Sequence, residues 1–341
     1  MKAVSIKDIA GQVGVSTTTV SFVLNGKAKE KRISDDLKNR ILEVAASLNY
    51  RPNQVARGLR TGQTHTLGLI IEDISNPFFA NLAKAVEAEA DKFGYTVMFC
   101  STENNEQKAS SLLHMLKHRQ MDGFIITPTQ GMESEVKRLG EEGRPVVLID
   151  RYFTDLETSY VTVDNYKGAF DATSRLIRSG YSRIGLVTTD SMQVQMKNRY
   201  DGYMGALKKY DLPQDGKLVF KLGFEHTHDE AVQQINHFIQ SQKIDAVFFT
   251  TNYLGVYGLE SLRVSGKKIP DEIGVICFDD NDLFRLGTPA ISVISQPIAE
   301  IGQQAVSSLL AQLRDKETIP RKIMLEPRFL QRESLKNIET S

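Results

Sequence analysis

The sequence predicts two unlike parts, an all-α helix-turn-helix head and an α/β core of two lobes built on parallel sheets. The first supporting observation is length, because 341 residues exceed what one ordinary hydrophobic core organises. The second is a helical spacing of apolar residues within the first 49 positions. The third is a repeated alternation of strand and helix patterns from about residue 63 onward, which is typical of parallel sheets covered by helices.

The head is expected to begin with two short helices joined by a tight turn. Ser5 can cap the first helix, whose apolar face combines Ile6, Ile9, Ala10 and Val13. Gly14 stands where the turn needs an unhindered backbone, and Ser16 can cap the second helix. That helix directs Val20, Val23 and Leu24 inward and ends at Asn25-Gly26.

A third helix is expected to start at Ser34 and to support the first two. Its buried stripe is formed by Leu37, Ile41, Val44 and Leu48. Such an arrangement is a helix-turn-helix, whose second helix enters the major groove of DNA. The outward residues of that helix are Thr17, Thr18, Ser21 and Phe22. Hydroxyl and methyl groups suit base edges and thymine methyls, although a three-helix bundle with no such function remains the alternative.

The charge distribution favours a polyanionic partner for the head. Residues 1–62 contain eleven basic and five acidic side chains, a net charge of +6, whereas the remainder of the chain carries −6. Residues 50–62 follow as a hinge that is too short and polar to be a stable helix alone. Within it, Leu59 is an exposed apolar residue between Arg57 and Arg60, the composition of a minor-groove wedge with phosphate clamps.

The core is expected to contain about ten strands, which is too many for one small unit and indicates two similar lobes. The candidate strands are Thr66–Ile71, Thr96–Cys100, Gly123–Thr127, Val146–Ile149, Tyr160–Val163, Arg183–Val187, Leu218–Lys221, Ala246–Phe249, Gly274–Phe278 and Ser292–Ser295. In open α/β sheets, ligands bind beyond the carboxyl ends of the strands. Polar and aromatic residues cluster at those ends, which predicts a pocket for a sugar or a purine.

Each of these strand-end residues also has a purely structural interpretation. Asp150, Asp164 and Asp279 suit helix caps or loop anchors, and Phe78 and Phe79 suit the hydrophobic core. Arg199 suits an ion pair between the lobes. The clustering, rather than any single residue, supports the pocket.

Other functional classes find little support in the sequence. His114 and His118 stand four apart without the zinc-protease pattern, and no phosphate-binding loop, dinucleotide fingerprint or nucleophile elbow occurs. We therefore expect neither an enzyme nor a metal or other cofactor. Cys100 and Cys277 are expected to be buried free thiols, as suits a reducing cytosol. No secretory signal or membrane-spanning stretch is visible, so a cytoplasmic protein is expected.

The head and hinge segments, SIKDIAGQVGVSTTTVSFVLNGK and LNYRPNQVARGLRTG, resemble those of the lactose/galactose repressor (LacI/GalR) family of transcription regulators. The run STTTVS is similar to the recognition helix of the purine repressor. The resemblance implies that the head binds an operator and that Leu59 of each subunit wedges into the central base step. Phe22 departs from the basic or histidine residue often found there. The DNA-contacting residues implied are Ser5, Ser16, Thr17, Thr18, Thr19, Ser21, Phe22, Asn25, Arg57 and Leu59.

The resemblance continues through the core in the segments EDISNPFF, LIDR, VDNYKGA, NRYDGY, IGVICFDD and SVISQP. It implies a periplasmic-binding-protein-like core with an effector pocket formed by Asn76, Phe78, Arg151, Asp164, Arg199, Asn252, Asp279 and Gln296. Tyr253 replaces an aspartate usual in the family, so the identity of a sugar does not carry over. The implied domains are the head at 1–49, the hinge at 50–62 and the core at 63–341. Its lobes are expected at about 63–163 with 293–325, and 164–292 with 326–341.

Together these observations predict a ligand-responsive, sequence-specific transcription regulator, most simply a repressor. It would bind a near-palindromic operator in double-stranded DNA as a homodimer, because two-fold heads require two half-sites. A small molecule, a sugar or sugar derivative, would control it. Two other classes of protein are the alternatives. A transport receptor would lack the basic head, and an architectural DNA-bending protein would show no ligand response.

Overall fold

The computed structural model describes residues 4–50, 63–315 and 319–336. The chain divides into two compact units, the first ending at Thr64 and the second starting at His65. This division falls two residues beyond the expected start of the core. The hinge residues Arg57 and Leu59 lie outside the described residues, and their roles stay predictions.

The first unit contains the three expected helices, α1 (Ile6–Val13), α2 (Thr17–Leu24) and α3 (Asp35–Ser47). The Asp8 carboxylate accepts hydrogen bonds from the backbone N–H and the hydroxyl of Ser5, both at 2.7 Å. Gly14 ends α1 at φ +79°, a left-handed conformation that glycine adopts without steric strain. Ser16 then caps α2 by accepting from the Thr19 N–H at 3.1 Å.

The three helices share one small core. Ile9, Val13, Val20, Val23 and Ile41 are buried in it, and the expected inward residues Leu24, Leu37, Val44 and Leu48 are only partly buried against it. Three short helices enclose too little volume to cover every apolar side chain. The backbone of α2 is thereby held with its outer face open to solvent.

The second unit alternates strands and helices along the chain. Its strands are β1 (Thr66–Ile71), β2 (Thr96–Ser101), β3 (Gly123–Ile126), β4 (Val146–Ile149), β5 (Ser159–Val163), β6 (Ile184–Thr189), β7 (Val219–Leu222), β8 (Ala246–Phe249), β9 (Gly274–Phe278), β10 (Ser292–Ser295), β11 (Lys322–Leu325) and β12 (Arg328–Leu330). Its helices are α4 (Pro77–Asp91), α5 (Glu106–His118), α6 (Glu133–Glu141), α7 (Asn165–Arg178), α8 (Val194–Lys209), α9 (His228–Ser241), α10 (Asn252–Val264), α11 (Asp282–Leu286) and α12 (Ile298–Arg314). A 3₁₀ turn at Gly216–Leu218 precedes β7.

The strands form two six-stranded sheets, one in each lobe. The first has the order β11-β5-β4-β3-β1-β2 and is parallel throughout. The second has the order β12-β10-β9-β8-β6-β7, and only its edge strand β12 is antiparallel to its neighbour. Parallel strands covered by helices on both faces are apolar along their whole length, as the fully buried strands β3, β4 and β8 show.

Two features of the second unit correct the sequence-based expectations. All ten expected strands form, but β11 and β12 were not predicted. Both are short edge strands with alternating exposure, which gives them a weak apolar signal. The expected lobe boundary at residue 293 is also wrong. Ser292–Ser295 pairs with Gly274–Phe278 in the second sheet, and the chain returns to the first lobe only with α12.

Helices α7 and α8 pack closely against each other in the second lobe. At their contact, a Cβ on Gly202 would lie 2.3 Å from the Tyr166 carbonyl oxygen, so only glycine permits this approach. Gly202 is three residues beyond Arg199 on the same helix, α8. The glycine therefore sets the depth at which the Arg199 side chain enters the lobe.

Candidate functional site

A narrow cleft lies between the two sheets, at the carboxyl ends of their strands. Six of the eight predicted effector residues line it: Asn76, Phe78, Arg151, Arg199, Asn252 and Asp279. Five of them follow a strand or lie at the start of the helix after it, which is the location that the open-sheet rule predicts, and Arg199 lies in the second turn of α8. The structure therefore brings together residues that are up to two hundred positions apart in the sequence.

Two predicted effector residues do not line this cleft. Asp164 caps α7, with its Oδ1 accepting from the Lys167 N–H at 2.8 Å, which is the structural role weighed for it. Gln296 lies behind Asp279 and donates from Nε2 to its Oδ1 at 2.6 Å. Gln296 thus orients a cleft residue instead of facing the cleft itself.

Several cleft residues were absent from the predicted effector set. They are Glu72, Phe79, Asn104, Asp150, Thr189, Gln193, Gln195, Met196, Phe224, Thr251 and Tyr253. Asn104 follows β2 and Gln193 follows β6, two strand ends whose polar residues were not considered. The same strand-end rule applied to every strand would have identified both.

Arg151 connects the loops that form the first lobe's side of the cleft. Its guanidinium donates to Glu72 Oε2, to Asn104 Oδ1 and to the Pro128 carbonyl oxygen, each at 2.7 Å. These acceptors follow three different strands, and the Arg151 side chain is only 4% exposed. The main role of Arg151 in this geometry is to hold three strand ends together.

Arg199 holds the corresponding place in the second lobe. Its Nε donates to Asn165 Oδ1 at 2.8 Å, and its Nη1 lies 3.9 Å from Asp279 Oδ2. The guanidinium carbon is 3.6 Å from the centre of the Phe278 ring, a cation–π contact. Burial lowers the pKa of Arg199, and the nearby carboxylates of Asp279 and Asp150 oppose that effect. The ion pair weighed for Arg199 exists, but it lies within one lobe.

Two carboxyl groups of the cleft, those of Asp150 and Asp279, have raised pKa values. Burial raises the pKa of Asp150 from 3.8 to about 6, an effect that Arg151 and Arg199 oppose and the Asp279 charge reinforces. Burial likewise raises the pKa of Asp279, against the attraction of Arg199 and the hydrogen bond from Gln296. Two carboxylates are thus kept in the cleft at a cost in free energy, which is frequent at functional sites.

Two hydrogen bonds join the lobes directly across the cleft. Asn252 Nδ2 donates to Asn76 Oδ1 at 2.8 Å, and Gln193 Nε2 donates to Asn104 Oδ1 at 3.3 Å. The remaining cavity has a volume of about 40 Å³. That is close to the share of one water molecule, about 30 Å³, and far below the roughly 300–1,000 Å³ of ligand sites. A ligand the size of a monosaccharide therefore does not fit in this inner part of the cleft alone, which adjoins a cavity of about 500 Å³ that shares seven of its lining residues.

Two buried polar atoms in the cleft have no hydrogen-bond partner within the described part of the chain. They are Thr189 Oγ1 and Gln195 Oε1, both on side chains that line the cavity. Five other buried polar atoms of the described residues also lack a partner, so what distinguishes these two is their position in the cavity, where a polar ligand or a water molecule can reach them.

On the helix-turn-helix, Thr17 and Thr18 are fully available at the outer face of α2. Other predicted residues of this unit form local hydrogen bonds: the Ser16 and Thr19 hydroxyls are 2.9 Å apart, and Asn25 Nδ2 donates to the Ser21 carbonyl at 2.7 Å. Phe22 is half-buried, with the Lys31 ammonium 5.4 Å from its ring centre. Lys31 is thus the basic side chain that packs against Phe22.

Comparison with known proteins identifies both parts. Residues 5–53 match the model of bacterial regulatory proteins of the lacI family, and residues 173–335 match a periplasmic binding protein-like domain. The ribose operon repressor of Haemophilus influenzae is 30% identical, over 98% of this chain and 99% of its own. The chain belongs to the LacI family. Members of this family are transcription regulators and not enzymes, so this LacI-family chain is a DNA-binding regulator.

Other relatives span the same length. The purine repressor PurR of Mannheimia succiniciproducens is 27% identical, over 98% of this chain and 99% of its own. A complex of the regulator CelR with cellobiose matches 97% of this chain and 99% of CelR, at 25% identity and a TM-score of 0.73. The lac repressor dimer bound to operator has a TM-score of 0.86 over 98% of this chain and 99% of its own, at 19% identity, which shows the shared fold.

Within residues 4–50, 63–315 and 319–336, no helix is long and apolar enough to span a membrane. No three His, Cys, Asp or Glu side chains in those ranges are grouped so that they could hold a metal ion.

Proposed function

We propose that this LacI-family regulator binds a near-palindromic operator as a homodimer in the cytoplasm, and that a carbohydrate in the cleft controls its affinity for DNA. The observation that carries the effector proposal is the pair of unpartnered buried atoms, Thr189 Oγ1 and Gln195 Oε1. They lie beside the carboxylates of Asp150 and Asp279 and the guanidinium of Arg199. Hydroxyl groups of a sugar both donate and accept, so they match this mixture of acceptors and donors.

A carbohydrate is also the effector suggested by relatives. One relative is named a ribose operon repressor, and a structural neighbour at 25% identity contains cellobiose. The second candidate is a nucleobase, because the aromatic rings of Phe78 and Phe224 line the cleft and several relatives are named purine repressors. Carbohydrates and nucleobases both need hydrogen-bonding partners, so the residues that line the cleft do not distinguish them. A measurement of ligand binding does.

On the DNA side, we propose that Thr17 and Thr18 contact base edges in the major groove. Ser5, Ser16, Thr19, Ser21, Phe22 and Asn25 would position the helix or contact the phosphates. Arg57 and Leu59 would act in the minor groove as phosphate clamp and wedge. The positive head supports this division of roles, because phosphate neutralisation provides most non-specific affinity.

The homodimer is supported by exposed apolar side chains on one side of the second unit. Phe99 on β2 is 54% exposed, and Leu283 and Leu286 on α11 are 60% and 75% exposed. Glu103, just after β2, and Asn281, just before α11, line the same cavity of about 500 Å³, so both segments flank one side of the cleft. A second copy of the chain would cover these residues through a two-fold interface.

The effector would act by linkage between the cleft and the operator. A ligand that contacts both lobes replaces the Asn252–Asn76 hydrogen bond and favours one relative orientation of the lobes. If the hinge segments at 50–62 fold on DNA in only one such orientation, affinity for the operator changes. Couplings of this type amount to about 1–3 kcal/mol, or roughly 5- to 150-fold in affinity.

The test uses a site selected from random DNA by the full-length protein. Fluorescence anisotropy measures affinity for that site with and without free sugars, disaccharides and nucleobases, while thermal denaturation reports binding to the protein. The expected result is that at least one carbohydrate raises the unfolding midpoint and changes operator affinity at least fivefold. Binding of nucleobases alone would transfer the assignment to the second candidate, and no response to any ligand would contradict effector control.

A further inference from the structure

A second large cavity adjoins the cleft and is distinct from the cavity of about 500 Å³ that Glu103 and Asn281 line. Its volume is about 600 Å³, within the roughly 300–1,000 Å³ typical of small-molecule sites. It is formed by the loops that follow β3 and β4 in the first lobe and by the segment that follows β6 in the second. Like the cleft, it therefore lies at the carboxyl ends of strands from both sheets.

The two cavities meet at two shared residues, Arg151 and Gln193. Arg151 is immobilised by its hydrogen bonds to Glu72, Asn104 and Pro128. Gln193 is held less firmly, since its contact with Asn104 Oδ1 across the cleft is 3.3 Å long. Arg151 and Gln193 together separate the two cavities. If the lobes move apart to admit a ligand, the hydrogen bond between Gln193 and Asn104 breaks, and the two cavities become connected beside Gln193.

The walls of the second cavity differ chemically from those of the cleft. Apolar side chains from both lobes face it: Phe153 and Leu156 from the first, and Met192 and Val194 from the second. Met192 is 85% exposed, an unusual placement for a flexible apolar side chain that adapts readily to apolar partners. The lining also contains two acidic side chains and three basic ones, and each basic side chain pairs with a carboxylate that does not line the cavity, so no cation is left to attract an anionic ligand: Glu133 and Asp155, and Arg151, Lys137 and Lys197.

We propose that this second cavity is a subsite for an uncharged apolar or aromatic substituent of the effector, whose polar ring occupies the cleft. The effector class would then be a glycoside with an apolar aglycone. The inference rests on the proposed carbohydrate effector and adds the chemistry of the group attached to the sugar. Because the subsite has walls from both lobes, its occupation also stabilises their relative orientation.

The probes are matched methyl and 4-nitrophenyl glycosides of ribose, glucose and galactose, and isothermal titration calorimetry measures their affinities for the full-length protein. In the wild type, the aryl glycoside of the accepted sugar should bind at least about tenfold more tightly than its methyl partner, because its ring leaves water. Met192→Glu and Leu156→Glu should each reduce that ratio to about one. Met324→Glu is the matched control, since Met324 is 52% exposed on β11 and does not line the cavity; it should keep the ratio.

Three outcomes would overturn the subsite, and they are distinguishable. A ratio of about one in the wild type removes the subsite but leaves the carbohydrate effector in place. A ratio that persists in both cavity variants shows that the aryl group binds elsewhere. If neither glycosides nor free sugars bind, the carbohydrate assignment fails and the subsite fails with it. Operator binding without ligand checks that each variant is folded.

Discussion

Asp150 and Asp279 occupy equivalent positions in the two lobes. Each directly follows a buried parallel strand, β4 or β9, and each is 7% exposed. Both adopt left-handed backbone conformations, with φ of +67° and +70°. Such conformations are uncommon for residues other than glycine, asparagine and aspartate. The turn after β4 thereby directs the Asp150 carboxylate into the cleft from the first lobe, and the turn after β9 directs the Asp279 carboxylate into it from the second lobe.

The first prediction concerns the pH dependence of stability. Because the pKa of Asp150 is raised to about 6 in the folded protein, the folded state retains a proton that the unfolded state releases between about pH 4 and 6. This group's contribution to the free energy of unfolding therefore falls as pH rises through that window. Asp150→Asn should be more stable than the wild type at pH 7.5, by about 2–3 kcal/mol, and should show little gain at pH 4. Urea unfolding at the two pH values measures the difference.

Asp201→Asn is the matched control for that experiment. Asp201 is a partly exposed carboxylate on α8 that pairs with Lys197. Its replacement should alter stability by under about 1 kcal/mol at either pH. An Asp150→Asn variant whose advantage is equal at pH 4 and pH 7.5 would contradict the assignment.

The second prediction separates effector binding from DNA binding. Asp279→Asn keeps an oxygen for the hydrogen bond from Gln296 but removes the charge beside Arg199. Arg199→Ala leaves a buried carboxylate without its partner and should lower stability by about 3 kcal/mol. Both variants should match the wild type in operator affinity without ligand and lose the response to the accepted ligand, measured by anisotropy.

Arg178→Ala serves as the control for Arg199→Ala, since Arg178 lies on the surface of α7 against Tyr210. It should retain the full ligand response. If the two cleft variants also respond fully, the effector site lies elsewhere. If both lose operator binding without ligand, their role is structural.

The third prediction tests the dimer. Phe99→Glu places a charge on an exposed apolar side chain of the edge strand β2 and should weaken dimerisation at least tenfold in sedimentation velocity. Met324→Glu changes a side chain of similar exposure, 52%, on the opposite edge strand of the same sheet, and should leave the dimer intact. Equal sedimentation of the two variants would refute this location of the interface.

The fourth prediction concerns the hinge. Leu59→Ala should weaken binding to the selected operator more than binding to random DNA, because a wedge contributes only where the DNA is kinked. Arg57→Ala should weaken both, since a phosphate contact is independent of sequence. Anisotropy titrations on the two DNAs at several salt concentrations measure these effects. If Leu59→Ala lowers the affinity for both DNAs by the same factor, Leu59 does not act as a wedge.

Much of the fold was accessible from the sequence because its signals are local. The caps at Ser5, Ser16 and Ser34 and the apolar spacing behind them define the three head helices. The continuous apolar runs of the core define ten of its twelve strands, and five of these have the expected bounds at both ends. The two missed strands, β11 and β12, are held by pairing with distant partners and not by their own composition.

The sequence by itself therefore determined which residues stand at the ends of strands. Only the tertiary structure decided which of those strand ends meet in the cleft. Asp164 follows a strand as Asp150 does, yet its side chain caps its own helix. Asn104 enters the cleft because Arg151 and Gln193, far away in the chain, hold it there. A strand end is specified by residues next to it, whereas the facing of the two lobes depends on contacts between residues 89 and 176 positions apart. Those contacts leave no periodic pattern in the sequence, so the composition of the site appeared only when both sheets were in place.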